Sequence, residues 1–197
     1  MLSFMGGIMM KKTFALLLVL AALFSFVSCG NGGGGAEEGY KKAVELLAEV
    51  EYGGATDKLE SLAPELFWDY YEKTYNMPRK SMLDEVAWAV EQTNTQLEEL
   101  YGADFGMAVE ITQATEADAE LLSKIGAAFA EQKGIEAEKI KGAYTLKAKV
   151  TFNGSSTGEE ELDLQVVKIE DTWYCAEWYF YDEGGYVVFT VETFVMG

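Results

Sequence analysis

Histidine is absent from this 197-residue chain. That single absence removes Ser-His-Asp and Cys-His nucleophile arrangements, histidine metal sites and histidine general bases together. Cysteine is nearly as scarce, with Cys29 and Cys175 the whole supply, too few for a thiolate zinc site. The sequence has no GxxxxGK[ST], no glycine-rich phosphate loop after a strand and no D-x-D-x-D-G calcium loop. No metal or cofactor is therefore expected, and an enzyme built on this chain would have to work with a carboxylate, a tyrosine or a lysine. Positive charge is the third shortage: 15 Lys and Arg stand against 33 Asp and Glu, for a formal charge of −18. Such a surface repels phosphate backbones, which excludes nucleic acid as a partner. It also repels anionic lipid headgroups, so any membrane attachment has to come from acyl chains rather than from a basic patch. Solubility is the plain reading of the charge.

Long apolar runs are missing too. The one candidate, Phe14 to Val27, follows Lys11-Lys12 and leads into Ser28, Cys29 and then Gly30-Asn31-Gly32-Gly33-Gly34-Gly35. It falls short of the roughly 20 apolar residues a spanning helix needs, and glycine rather than a stop-transfer charge follows it. A basic start, an apolar stretch and a small residue before the junction are the layout of a secretory signal. The segment Phe26-Val27-Ser28-Cys29 resembles the lipobox of bacterial lipoproteins, with Phe26 where Leu is usual. The resemblance implies a signal peptide over residues 1–28, starting in effect at Met10, and lipidation at Cys29. It further implies a glycine-rich tether over 29–36, a folded body over 37–197, and an outward-facing position in the cell envelope, anchored to the membrane by lipid. All the acidic residues follow Ser28, whereas Lys11 and Lys12 precede it, so the processed chain would be two units more negative than the whole. With Cys29 lipidated, Cys175 has no disulfide partner and reads as a small hydrophobe rather than a nucleophile.

About 160 residues remain for the body, which suits one domain with a real hydrophobic core. Tyr40, Val44, Leu47 and Val50 form one apolar helical stripe that Gly53-Gly54 ends. Leu59, Leu62, Leu66 and Phe67 keep helical spacing around Pro64, and Asn76-Met77-Pro78 closes that segment. Ser81 with Asp84 reads as the start of a third helix, whose inward stripe is Val86, Val90, Leu97 and Leu100 and whose stop is Gly102. Residues Phe105 to Thr115 change to period two, a strand. Thr115 to Asp118 then opens a helix with Leu121, Leu122, Ile125 and Phe129 inward and Gly134 as its stop.

The clearest β pattern is Ala143 to Phe152, where Tyr144, Leu146, Ala148, Val150 and Phe152 alternate with polar residues. Glu161 to Ile169 starts with Leu162, Leu164 and Val166 inward and then puts Val167 and Ile169 on the other face, which points to a bulge or to a strand covered on both sides. Glu170-Asp171 turns the chain into an aromatic strand, Thr172 to Tyr181, and Gly184-Gly185 turns it into a last one, Tyr186 to Val195. The expectation is an α+β single domain, cone-like, with amino-terminal helices packed on a curved antiparallel sheet.

The runs Tyr144 to Phe152 and Leu164 to Tyr174, with the tight turn before Trp173-Tyr174, resemble the ending of the nuclear transport factor two-like (cystatin-like) superfamily. Glu45-Leu46-Leu47, Asp57-Lys58-Leu59 and Leu62-Ala63-Pro64-Glu65 are similar to the first helices of its small exported lipoproteins. The resemblance implies a conical cavity between sheet and helices, used in some members for isomerase, dehydratase or cyclase chemistry and in others for binding alone. Candidate lining rings are Trp68, Tyr71, Trp88, Tyr144, Tyr174, Trp178 and Phe180, although rings like these more often fill a core. Glu110, Asp163 and Glu177 are candidate cavity acids, against the ordinary reading of solvent-facing carboxylates. Two readings compete. One is a lipid-anchored, non-catalytic module for a small apolar ligand or an envelope protein, with the sheet face also able to pair two copies. The other is a carboxylate-based isomerase or dehydratase, whose acid has its pKa raised by apolar walls.

Overall fold

The structure, a computed structural model, describes residues 34–176, 178–183 and 186–191, the last two stretches as strands and their pairing. Helix α1 spans Gly34–Glu51 and opens inside the glycine-rich stretch expected as tether. Its stripe forms as the spacing predicts: Tyr40, Val44, Leu47 and Val50 are all buried. The outer face carries i,i+4 pairs, Lys41 to Glu37 and Lys42 to Glu38, both at 2.6 Å, each worth a few tenths of a kcal/mol. A 3-10 turn over Thr56–Leu62 turns Leu59 and Leu62 inward. Helix α2, Glu65–Tyr75, starts directly after Pro64 and ends at Asn76 in the left-handed conformation. Phe67, Trp68 and Tyr71 carry its packing, whereas Leu66, expected inward, is exposed.

Helix α3 spans Arg79–Tyr101, with Pro78 rather than Ser81 at the N-cap position. The extended backbone of Pro78 sets the entry angle, and Arg79 reaches back to Glu60, Glu65 and Asp69 at 2.7–2.8 Å. That cluster ties the 3-10 turn, α2 and α3 together. Met82, Val86 and Val90 are buried, but Leu97 is only half-buried and Leu100 is exposed, contrary to the expected stripe. A helix of 23 residues is roughly 35 Å long at 1.5 Å per residue, and its last turn runs past the large core. The tip of the following hairpin holds it instead: Ser155 N–H and Oγ donate to the Tyr101 carbonyl, and Ser156 Oγ donates to that of Leu100. Gly154 is required there, since a Cβ would lie within 1.9 Å of the Tyr101 carbonyl oxygen.

Strands β1 (Gly106–Glu116), β2 (Ile140–Asn153), β3 (Thr157–Ile169) and β4 (Thr172–Cys175) form an antiparallel sheet in that order. Helix α4, Ala119–Lys133, lies between β1 and β2 in sequence and is capped by Asp118, whose carboxylate accepts from Leu121 N–H at 2.8 Å. The fold is α+β, with helices packed against a curved sheet. Register sets the faces. Val109, Val150 and Glu160 stand in line across β1, β2 and β3, as do Ile111, Ala148 and Leu162. One face therefore carries Leu146, Ala148, Val150, Phe152, Leu164 and Val166 inward, and the other carries Lys147, Lys149, Asp163 and Glu161.

The phase switch in β3 has a clear cause. Register is continuous from Gly142↔Lys168 to Asn153↔Thr157, so no bulge falls at Val166 and Val167. Both valines are 0% exposed, so this end of the strand is covered on both faces. The aromatic strand expected over Thr172 to Tyr181 is divided: β4 stops at Cys175, and β5 (Trp178–Glu183) pairs with β6 (Tyr186–Val191) in a second, two-stranded sheet. At the division the Lys133 ammonium donates to the Ala176 carbonyl at 2.5 Å. A second cluster of Ala48, Tyr52, Val150 and Phe152 packs beside the main core, with Tyr101 stacked on Phe152 at 5.1 Å.

Candidate functional site

The space between helices and sheet is where a conical fold would hold a ligand, and the described residues pack closely there. The void bounded by Phe67, Phe129, Lys133, Val167, Tyr174 and Cys175 measures about 10 Å³, the lower limit for one water molecule. Trp68 and Tyr71 belong to this core: the Trp68 indole donates to the Glu60 carbonyl at 2.9 Å, and both rings pack on Phe67. Cys175 is buried against α1, its thiol 3.5 Å from the Ala43 carbonyl oxygen. Lys133 is the buried cation of the described residues, 4.8 Å from the Phe129 ring centre and 5.9 Å from that of Phe67. Its apolar stem fills the core while its head meets the Ala176 carbonyl and the ring faces.

Ligand-sized space among the described residues lies on the surface. A groove of about 530 Å³ runs beside β4, between the first turns of α1 and the junction of the 3-10 turn with α2. Gly39, Leu46, Pro64, Lys168, Asp171 and Trp173 contribute to its walls. The Trp173 ring lies against Gly39, where a Cβ would come within 2.1 Å of it, and it closes a cluster with Tyr40 and Tyr144 at ring-centre distances of 6.2 and 5.6 Å. Burial raises the hydroxyl pKa of both tyrosines, with nearby Glu37 adding to the effect at Tyr40 and Glu116 at Tyr144. Tyr174 is half-buried and borders both the void and the groove. Trp88, a candidate lining ring, is 65% exposed on α3 and takes part in neither core nor groove.

The candidate acids fall on the wet side. Glu110 stands opposite Lys149, and Asp163 pairs with Lys147 at 3.3 Å, both on the sheet face away from the inward stripe. Neither reaches an enclosed space. Cys29, Glu177 and the side chains of Trp178 and Phe180 lie outside the described residues. Among the described residues no group of three or more acids and cysteines is placed to hold a metal ion, and no helix is long and apolar enough to cross a membrane.

One acid outside the expected set is perturbed. Glu51, in the last turn of α1, has its carboxyl pKa pushed up to about 7, first by burial and then by the like charge of Glu160 on β3. Glu160 stands opposite Val150, so it sits on the helix-covered face. A carboxyl of this kind can hold a proton at neutral pH. Neither Glu51 nor Glu160 borders the void or the groove. The chain matches no protein-family model, no curated protein and no solved structure.

Proposed function

We propose that this chain is an exported lipoprotein, held to the membrane through an acylated Cys29, whose body acts without catalysis by contacting another envelope protein. The observation that carries the reading is the contrast between a void of only about 10 Å³ among the described residues between helices and sheet and a surface groove of about 530 Å³. That void has no room for an apolar ligand, which needs some hundreds of cubic ångströms. The groove begins at Gly35, next to the segment that would carry the anchor. A surface so placed faces the neighbours of a tethered protein. Two features support a contact role: an aromatic wall at Trp173, and charges of both signs at Lys168 and Asp171.

Two experiments test it. Cells fed an alkyne-tagged fatty acid should label the wild-type chain and not the Cys29→Ala variant; an unlabelled wild type removes the anchor from the reading. A photo-cross-linking amino acid at Lys42 or Asp171, on the groove, should give a discrete adduct in cells, while the same probe at Trp88 should give none. Equal adducts at all three positions, or saturable stoichiometric uptake of a fatty acid by the purified chain, would count against a contact groove.

The carboxylate-enzyme reading rests on Glu51, whose carboxyl pKa burial pushes up to about 7, although it borders neither the void nor the groove. It predicts that Glu51→Gln abolishes turnover of an enolisable carbonyl substrate while the chain stays folded.

A further inference from the structure

Strand β3 runs for 13 residues, but β4 pairs only with Val166 to Ile169. Among the described residues no strand pairs with the outer edge of β3 from Thr157 to Leu164. The ladder does not stop cleanly at Cys175, because Ala176 N–H donates to the Gln165 carbonyl at 2.8 Å. That bond fixes the phase. In an antiparallel ladder alternate residues turn their N–H and C=O to the same side, so Glu159, Glu161 and Asp163 present theirs along the open edge. An edge of this length is a template for any extended chain.

We propose that β5 of the same chain lies along this edge in the register set by β4, joining the two sheets into one. The register then places Trp178 opposite Asp163, Tyr179 opposite Leu162, Tyr181 opposite Glu160 and Glu183 opposite Gly158. The six residues of β5 cover nearly all of the open length. Three observations select this occupant over a strand from another protein. The first is continuity: a single residue separates Ala176, already bonded to β3, from the start of β5. The second is the match of faces. Tyr179 and Tyr181 fall on the helix-covered side, where Leu162 is half-exposed beside the Tyr52 and Phe152 cluster. The third is charge. Lys149 holds Glu159 at 2.7 Å and Lys147 holds Asp163 at 3.3 Å, so two carboxylates of the edge are already answered from β2 and attract a basic foreign strand less.

Cysteine pairing in the full chain tests it. Residues 160 and 181 would form a pair that exchanges no backbone hydrogen bonds, whose Cα atoms come about 4.5 Å apart, within reach of a disulfide. Oxidised Glu160→Cys/Tyr181→Cys protein should show the 160–181 disulfide within one chain by peptide mapping. The control, Lys147→Cys/Asp163→Cys, bridges register partners of the β2–β3 ladder. A control that bridges while 160 and 181 do not overturns the proposal. So does a 160–181 bridge found only between chains, which would assign the edge to a second copy. Should the double variant fail to fold, hydrogen exchange on the wild type decides. The amides of Glu159, Glu161 and Asp163 should be protected like those of Glu160, Leu162 and Leu164, at any protein concentration; fast exchange, or protection lost on dilution, refutes it.

Discussion

Glu51 gives the protein a stability profile that runs opposite to ordinary acid denaturation. Below about pH 4.5, the carboxyl's ordinary pKa, folded and unfolded chains both hold the proton, and the group contributes no pH dependence. Between there and about 7 the folded chain keeps the proton while the unfolded chain releases it. Each unit of rising pH then removes about 1.4 kcal/mol of stability. Above about 7 both states are ionised and the loss levels off at roughly 3 kcal/mol, a large share of a typical total of about 5–15 kcal/mol. Self-repulsion of a chain carrying −18 charges acts in the same direction, so the decisive quantity is a difference between two proteins. Urea denaturation of wild type and Glu51→Gln across about pH 5 to about pH 8 isolates it. The amide should nearly match the wild type at the acid end and be the more stable at the basic end, by up to about 3 kcal/mol. Glu160→Gln should move the profile the same way by less, because the like charge ranks behind burial as a cause. Two parallel profiles would refute the reasoning.

Trp68→Ala removes a ring that is 1% exposed and should cost about 3–5 kcal/mol by chemical denaturation, whereas Trp88→Ala, at a 65% exposed site, should stay within about 0.5 kcal/mol of wild type. Lys133→Met keeps the stem but leaves the Ala176 carbonyl without its ammonium donor. It should cost about 1–3 kcal/mol, and equal stability would show that the bond adds nothing. The Cys175 thiol, buried against Ala43, should resist a bulky maleimide in native buffer and react at once in denaturant; rapid stoichiometric labelling of folded protein would contradict that placement.

The helices and the long hairpin were legible because period alone decides them. Tyr40, Val44 and Leu47 allow one buried face, and Tyr144 to Phe152 allow one buried side of a strand. Period cannot say where a helix outruns the core, so Leu100 read as inward although the last turn of α3 rests on the hairpin tip. It put the start of α3 at Ser81, whereas the helix begins directly after Pro78, where Arg79 gathers three carboxylates from 10 to 19 residues away. Glu51 was visible but passed over. It stands seven residues beyond Val44 and four beyond Leu47, next to Val50 at the end of the apolar stripe, and a carboxylate at the edge of a buried stripe is the pattern that marks a raised pKa. Lys133 gave no such sign, since its burial depends on where α4 lands relative to Ala176.

Strand β3 shows why the interior and the edge of this sheet call for different answers. At its carboxyl end Val166 and Val167 are sealed on both faces, and β4 supplies a neighbour. At its amino end one face meets the small cluster around Phe152, the other carries Glu159 and Asp163 paired with Lys149 and Lys147 of β2, and the outer edge has no partner among the described residues. Exposed ion pairs of this kind contribute about 0–1 kcal/mol each, too little to hold a long hairpin alone. What holds the amino half of β3 is its full ladder with β2, the stacked Tyr101 and Phe152 rings and the bonds from Ser155 and Ser156 to the end of α3. Weakening that anchorage should therefore loosen α3 and the hairpin together, while the sealed end around Val166 and Cys175 keeps its packing.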